Sequence, residues 1–205
     1  GYLARMRGDP VSLVAGDADR VVDRPARAGA EHAEMILALL ARRLDALTTG
    51  GTGQERLAAG APASRLSAVL ERVSTWHRRR SLVVLITDTS HPDARTDPAV
   101  VDWLRRLSAQ HELIAIQVAD DVALAPGRGR RRDVELAGEV PAFLREDKAL
   151  AARLDAQERA RRAQVAFLLD SRRIEHVTVT SEAVMMDQIA ELLARQRLVL
   201  NRRRR

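Results

Sequence analysis

Apolar residues along this chain follow two different spacings, which predict alternating strands and helices. Short apolar runs bounded by polar or turn-forming residues predict strands at residues 11–15, 20–24, 82–87, 112–121 and 177–180. Apolar residues three or four positions apart predict helices at residues 31–47, 63–77, 97–110, around 150–169 and at 185–200. Because helices and strands alternate from the third strand onward, we expect an α/β fold with a mostly parallel sheet.

The ends of these elements carry their own signals. We expect one buried stripe on the helix at residues 31–47, made of Ile36, Leu37, Leu40, Leu44 and Leu47. The glycine-rich stretch TTGGTG follows and ends this helix, since glycine readily adopts a left-handed backbone. In the helix at residues 97–110, Asp97 is the expected N-cap and Pro98 the first helical residue.

Length and composition favour a single globular domain. The chain has 205 residues, of which 46% are hydrophobic and 30% are charged, which suffices for one sizeable core. We expect that domain to span residues 1–200, with a basic tail at residues 201–205. The stretch APGRGRRRDVELAGEV, at residues 125–140, interrupts the α/β order and predicts a surface excursion or a small hairpin.

The net charge of +6 raises the possibility of nucleic-acid binding. Arginines cluster at residues 78–80, 130–132 and 202–205, but no aromatic residues lie between them, and aromatic residues form only 2% of the chain. Single-strand binding surfaces usually combine both residue types. We therefore expect the clusters to be solvated surface, and nucleic-acid binding is kept as an alternative.

Composition also bears on compartment and membrane association. The chain has no cysteine, so it can form no disulfide or thiolate metal site and suits a reducing compartment such as the cytoplasm. Its apolar runs are far shorter than the ~20 residues of a membrane-spanning helix, and no signal peptide is visible. We expect a cytoplasmic protein without a membrane segment in these residues.

Asp88 is the candidate functional residue with the clearest position. The run at residues 82–86 predicts a buried strand, and Asp88 stands where that strand leaves the core. Ligands of open α/β sheets bind beyond the carboxyl ends of the strands, and Asp120 and Asp121 end the next strand. The alternative is that all three aspartates only close turns by accepting hydrogen bonds from nearby backbone N–H groups.

The available side chains favour some chemistries over others. A carboxylate beside hydroxyl groups suits Mg²⁺, a cation that prefers oxygen ligands. The five histidines show no zinc-ligand spacing, and each is expected in a loop or at the surface. Phosphate-binding glycine loops and a nucleophile elbow are absent from the sequence. A small α/β metal-dependent hydrolase using Asp88 with Asp120 or Asp121 remains an alternative.

Four segments together resemble one bacterial family. They are RGDPVSLVAGD, RRRSLVVLITDTS, LSAQHELIAIQVADD and IEHVTVTSEAVMMDQIAELLARQR. This combination is similar to the family named domain of unknown function 58, and it covers nearly the whole chain in order. Members look like von Willebrand factor type A domains, so the resemblance implies a Rossmann-like sheet flanked by helices.

The resemblance also implies a metal site and a missing strand. Such domains often hold Mg²⁺ or Mn²⁺ with an Asp-x-Ser-x-Ser loop after the first strand, a later threonine and a further aspartate. Asp88 matches that aspartate and Ser64 takes the place of the threonine, while Arg65 replaces the usual acid. The first, central strand and its loop are not among these residues, so the strands at residues 11–15 and 82–87 should flank a slot of ~10 Å.

The resemblance implies a role in protein interaction rather than catalysis. Family members commonly accompany MoxR-type AAA+ ATPases, which implies a non-enzymatic partner or adaptor that assembles or matures a client complex. Full-length relatives are often membrane-anchored ahead of this domain. The missing strand further implies that the isolated chain is unstable or incomplete, whereas direct pairing of the two flanking strands would contradict the family assignment.

Overall fold

A computed structural model of the protein describes residues 2–16, 21–48, 65–76, 79–119, 132–133, 138–139 and 148–203. The chain divides into two compact units, which are described separately below. The amino-terminal unit comprises Gly1–Val69 with Arg132–Gly138, and the sheet unit comprises Leu70–Arg131 with Glu139–Arg205. The prediction of a single domain at residues 1–200 stays a prediction.

The amino-terminal unit contains a β-hairpin and a long helix. Helix α1 (Tyr2–Arg7) precedes strand β1 (Val11–Gly16), which pairs antiparallel with strand β2 (Val21–Arg27). Helix α2 (Ala30–Thr48) follows, and Nε2 of its His32 donates a hydrogen bond of 2.9 Å to the carbonyl oxygen of Val11. This bond connects the start of the helix to the hairpin. The order of the elements confirms the predicted hairpin followed by a helix.

The buried stripe predicted for α2 is only partly right. Ile36 is buried, but Leu37 is 65% exposed and Leu40 is 39% exposed. The buried face carries His32 and Ile36, four residues apart, and Leu37 lies beside that face; Leu40 continues the same spacing but is exposed. The side chains of Leu44 and Leu47 lie outside the described residues.

The remaining elements alternate between helix and strand. Helix α3 (Leu66–Trp76) is followed by strand β3 (Leu82–Asp88), helix α4 (Ala99–Gln110) and strand β4 (Glu112–Val118). Short strands β5 (Arg132–Asp133) and β6 (Gly138–Glu139) pair with each other, as expected of a small hairpin. Helix α5 (Lys148–Ser171), strand β7 (Glu175–Val179) and helix α6 (Glu182–Arg203) complete the chain.

Three strands form a parallel sheet in the order β3-β4-β7. Strand β3 pairs with β4 without a register shift, from Leu82 opposite Glu112 to Asp88 opposite Val118. Strand β7 pairs with the other side of β4, so among the described strands β4 is central and β3 is outer. The parallel pairing confirms the predicted α/β class.

Helices cover the central strand on both faces. Ile114 and Ile116 of β4 form a core with Val179 of β7 and Leu192 of α6. Leu113 and Ala115, which alternate with them and point to the opposite face, are also buried, while α4 packs against β4 and α5 against β7. This two-sided burial explains why β4 is a continuous apolar run, as is typical of parallel sheets.

Strand β3 is buried less than its sequence predicts. Leu85 is 6% exposed, but three alternate residues are open to solvent: Leu82 at 50%, Val84 at 44% and Ile86 at 66%. We call these three residues the β3 row; the register places them on the same sheet face as Ile114 and Ile116. The prediction of a fully buried strand is therefore wrong, because α6 covers that face over β4 and β7 and leaves the outer strand uncovered.

Further expectations can be compared with these elements. The predicted slot between the strands at residues 11–15 and 82–87 stays a prediction, because the two strands belong to different units. The N-cap of α4 is Pro98 instead of Asp97, a difference of one residue. Helix α6 continues to Arg203, so residues 201–203 of the predicted basic tail are helical. Within the described residues, none of the helices combines the length and apolarity needed to cross a bilayer.

Candidate functional site

Asp88 ends β3 and organises the turn that follows it. Its Oδ1 atom accepts hydrogen bonds from the backbone N–H groups of Ser90, at 2.7 Å, and of His91, at 3.0 Å. An aspartate whose side chain accepts hydrogen bonds from the backbone N–H groups two and three residues later stabilises a turn. The structure therefore supports the turn-closing role that the sequence left open for Asp88.

His91 adds a side-chain contact to the same carboxylate. Its Nδ1 atom lies 2.9 Å from Oδ1 and 3.2 Å from Oδ2 of Asp88. The His91 side chain is 18% exposed and that of Asp88 is 43% exposed, so the pair sits at the surface with the carboxylate more open. We refer to Asp88 and His91 together as the strand-end pair.

The strand-end pair is connected to the centre of the sheet. The carbonyl oxygen of His91 accepts a hydrogen bond of 3.2 Å from Nε2 of Gln117. Gln117 lies on β4 and is only 4% exposed. The loop after β3 is therefore held by a buried amide of the neighbouring strand, which fixes the position of the pair at the carboxyl edge of the sheet.

The ionisation of Asp88 reflects two opposing effects. Partial burial raises the pKa of Asp88, because it disfavours the charged carboxylate. The hydrogen bond and the charge of His91, together with the N–H groups of Ser90 and His91, outweigh burial and lower the pKa below its ordinary value of 3.8. Asp88 is consequently a stable carboxylate at neutral pH and an acceptor of hydrogen bonds.

The predicted metal ligands are not brought together by the described residues. Ser64, Asp120 and Asp121 lie outside them, so neither the pairing of Asp88 with Ser64 nor a shared rim of aspartates can be seen. The Asp88 carboxylate already accepts bonds from three donor atoms, and the described part of the chain contains no group of three His, Asp or Glu side chains that could hold a metal ion. These residues alone do not fit a metal centre, and we derive no step through a cation.

What the site can do follows from its two side chains. The Asp88 carboxylate can accept a hydrogen bond or an ion pair from a partner, because nearly half of the side chain is exposed. A carboxylate on Nδ1 also fixes the orientation of an imidazole, an arrangement that hydrolases use to prepare a general base. The sequence offers no recognisable nucleophile motif to accompany it, so binding is the simpler use of the pair.

The loop or surface position expected for each histidine is only partly right. His91 and His111 lie in loops, His111 with only 3% of its surface exposed, whereas His32 lies in α2 and is 5% exposed; His77 lies outside the described residues. His32 is buried because it bonds the backbone of β1, a contact between residues 21 positions apart that no local pattern reveals. The bond between His91 and Asp88 was also missed, although a separation of three residues across a turn is short enough to indicate one.

The arginine clusters are described only in part. Arg79 and Arg80 are exposed, and Arg80 lies 3.6 Å from the carboxylate of Glu112. Arg132 lies in β5, and Arg202 and Arg203 lie in α6. Arg78 and residues 130–131 and 204–205 lie outside the described residues. No continuous basic surface can be traced from the described residues, and nucleic-acid binding stays an untested alternative.

Comparison with known proteins adds one family match. The model of the family described as "Protein of unknown function DUF58" matches residues 1–165. No curated protein matches the chain, and no solved structure does so either. The match includes the strand-end pair and ends within α5, so β7 and α6 lie beyond it.

Proposed function

Since this chain belongs to the DUF58 family of proteins of unknown function, we propose that it is a non-enzymatic protein-interaction module. Its contact surface is the carboxyl edge and outer side of the parallel sheet, where the β3 row leads to the strand-end pair. The chain acts as a partner or adaptor of a MoxR-type AAA+ ATPase in assembling or maturing a client complex.

The observation that carries this proposal is the exposure of the β3 row. An outer strand has free backbone N–H and C=O groups on one side, and proteins usually protect such an edge with charged residues, proline or a covering segment. Among the described strands β3 is outer, and Leu82, Val84 and Ile86 on one of its faces are all at least 44% exposed. An outer strand with exposed aliphatic side chains favours pairing with an extended segment of another protein or of a further part of the same protein.

We also propose that the fold is von Willebrand factor A-like, with a further strand beside β3. One observation supports this: among the described strands β3 is outer, and its aliphatic face is exposed. A strand inserted beside β3 would satisfy its backbone groups and extend the sheet face on which the β3 row lies. The family resemblance supplies the identity of that strand.

Metal dependence belongs to the same proposal. If residues outside the described ones supplied further oxygen ligands, Asp88 and Ser64 would help to hold Mg²⁺ or Mn²⁺, and the cation would supply an open coordination position for an acidic side chain of the partner. The exposed, ionised carboxylate of Asp88 supports this role. The described residues supply too few ligands for it alone.

The test is capture of a purified MoxR-type ATPase from the same genome by the immobilised chain, with Mg²⁺ and with EDTA. A full-length version of the protein should be tested in parallel. The exposed Asp102 of α4, 68% exposed and 3.3 Å from Arg105, provides the control substitution Asp102→Ala. If a further loop completes the metal site in the full-length version, we expect its capture to depend on Mg²⁺, to be abolished by Asp88→Ala and to be preserved by Asp102→Ala. Equal capture by all variants under both conditions would contradict the proposed role of Asp88.

One observation favours a second candidate, a small metal-dependent hydrolase. The Asp88–His91 contact of 2.9 Å orients the imidazole as in hydrolytic sites. If this candidate is right, hydrolysis of p-nitrophenyl phosphate in the presence of Mg²⁺ will be lost in both Asp88→Ala and His91→Ala. If instead the wild-type chain shows no turnover above the buffer rate, the interaction module remains the better explanation.

A further inference from the structure

The backbone of β3 shows which of its residues can pair with a further strand. The carbonyl oxygen of Ser81 accepts a hydrogen bond of 2.9 Å from the backbone N–H of Glu112, so the backbone groups of residue 81 point toward β4. Backbone groups of successive strand residues point alternately to the two sides of the strand. Those of Leu82, Val84 and Ile86 therefore point to the outer side of β3, where no described strand lies.

The amino-terminal end of the β3 row carries positive charge. Arg80, two residues before Leu82, has a side chain that is 63% exposed and lies 3.6 Å from the carboxylate of Glu112. Arg79 beside it is also exposed. The Glu112 carboxylate can balance only one of these two guanidinium groups, so this end of the strand attracts a further carboxylate.

The carboxyl-terminal end of the β3 row carries the opposite charge. The side chain of Asp88, two residues after Ile86, is 43% exposed. Its Oδ1 atom accepts the two backbone hydrogen bonds of the turn, whereas in the described part of the chain Oδ2 is contacted only by Nδ1 of His91, at 3.2 Å. Because a carboxylate has about four acceptor positions, Oδ2 can accept a further bond from a cation.

From these observations we propose that the outer side of β3 binds the outer side of β3 in a second copy of this chain. The two strands run antiparallel about a two-fold axis at Val84. This register places Leu82 opposite Ile86 of the second copy, and it places Arg80 opposite Asp88 of the second copy.

The sequence of β3 selects this register, because the strand is complementary to itself only about Val84. Moving the axis by one residue toward the amino terminus would place Arg80 opposite Ile86. Moving it by one residue toward the carboxyl terminus would place Leu82 opposite Asp88. With the axis at Val84, every aliphatic side chain of the β3 row lies opposite another one, and opposite charges meet at both ends.

The dimer should be weak and reversible, because only one short strand of each copy takes part. Interfaces that bury little surface are typical of transient contacts, and we expect a dissociation constant on the order of 100 µM. The inference rests on the proposed function and adds regulation to it, since the second copy occupies the surface assigned to the partner. The further strand proposed beside β3 would compete with the second copy for the same backbone groups.

The test of the register uses single cysteines, because the chain contains none and every disulfide must then join two copies. Opposite residues that bond each other through their backbones have Cα atoms about 5.5 Å apart, a distance that a disulfide spans. Val84→Cys should therefore form a cross-linked dimer with oxidised glutathione. A mixture of Leu82→Cys and Ile86→Cys should form the mixed dimer.

Ile86→Cys alone is the matched control for chance collision. Ile86 is 66% exposed and Val84 only 44%, so collision would favour cross-linking at Ile86. In the proposed register, however, two copies of residue 86 lie four positions apart, about 14 Å along the strands. Cross-linking of Ile86→Cys that equals or exceeds that of Val84→Cys would overturn the inference. So would equal cross-linking of Met186→Cys, at a position that is 68% exposed on α6.

Charge variants test the ends of the interface without a covalent bond. Arg80→Glu should weaken dimerisation about fivefold or more at low salt, because it creates two like-charge pairs. Arg79→Glu changes the net charge equally but lies at an odd position, on the other face, and should have a smaller effect. Mixing Arg80→Glu with Asp88→Lys should restore a mixed dimer. Analytical ultracentrifugation measures these equilibria, and thermal unfolding verifies that each variant folds. Equal effects of Arg80→Glu and Arg79→Glu would contradict the proposed register.

The result can be separated from the wider proposal. If Val84→Cys does not cross-link while ATPase capture still depends on Asp88, the dimer is wrong and the interaction module stands. If the cross-linked dimer forms and captures the ATPase as well as the monomer does, the dimer stands and the proposed contact surface is wrong. If Val84→Cys cross-links in this chain but not in a full-length version, the dimer stands and a further part of the protein displaces the second copy.

Discussion

Nδ1 of His91 lies 2.9 Å from Oδ1 of Asp88, so the carboxylate that ends β3 is held by an imidazole three residues later. This contact predicts how the pKa of Asp88 responds to a substitution of His91. In His91→Ala, the pKa of Asp88 should rise from its lowered value, because the strongest of the effects that lower it is removed. Carbon-13 detection of the Asp88 carboxyl group during an acid titration measures the change. An unchanged pKa would mean that the backbone N–H groups alone hold the carboxylate.

A second prediction concerns stability. Asp88→Asn should reduce the free energy of unfolding by about 1 kcal/mol at pH 7, a modest cost because the side chain is 43% exposed. The folded-state pKa is below the ordinary value of 3.8, so the stabilisation is complete above that value and is lost as the pH falls through the folded-state pKa. Urea denaturation at pH 7 and near pH 3 should show a larger difference between variant and wild type at pH 7 than near pH 3.

Asp102→Asn is the matched control for that measurement. Its carboxylate is 68% exposed and has only a surface contact with Arg105, so unfolding should change by less than about 0.5 kcal/mol at either pH. Equal losses in the two variants would show that the turn does not depend on Asp88.

The β3 row predicts a difference between stability and association. Ile86→Lys should change the free energy of unfolding by less than about 0.5 kcal/mol, because Ile86 is 66% exposed. Leu85→Ala, at the neighbouring position, should reduce the free energy of unfolding by about 2–5 kcal/mol, because Leu85 is only 6% exposed. The same Ile86→Lys variant should reduce self-association in light scattering, since a charge protects an open strand edge. Stronger self-association of the variant would argue against an exposed edge.

The last helix is expected to be essential, although it lies beyond the family match. Leu192 is fully buried against Ile114 and Val179, so Leu192→Ala should cost about 2–5 kcal/mol. Met186, which is 68% exposed on the same helix, provides the control substitution Met186→Ala, with a change of less than about 0.5 kcal/mol. A version ending at residue 165 should lack cooperative thermal unfolding. Cooperative unfolding of that version would show that the core does not need α6.

The sequence predicts the type and order of most elements and is weaker on burial. Strand β4 and helix α6 are recognisable because their apolar spacing matches their contacts, with Ile114, Ile116 and Leu192 all buried. The same kind of run in β3 leaves Ile86 exposed, because periodicity identifies a strand but does not reveal whether a neighbour covers it. Leu37 of α2 is exposed instead of buried, because the spacing that predicts a helix likewise does not reveal which residues are covered.

For the site, position could be predicted but partners could not. Asp88 stands at the end of a strand, as its place after an apolar run indicates. Its contact with His91 depends on the path of the turn, and the bond of Gln117 to the His91 carbonyl joins residues 26 positions apart. Such long-range contacts arise from the packing of the sheet, which one sequence does not encode in a local pattern.

The side-chain amide of Gln117 holds the loop that carries His91 in place. Lifting that loop would break the 3.2 Å bond and leave a polar group without an acceptor in the middle of the sheet, where Gln117 is only 4% accessible. Stranding a buried donor in this way costs about 1–3 kcal/mol. Any ligand that displaces the loop must recover that energy from its own contacts, so a weak ligand should bind without moving the loop.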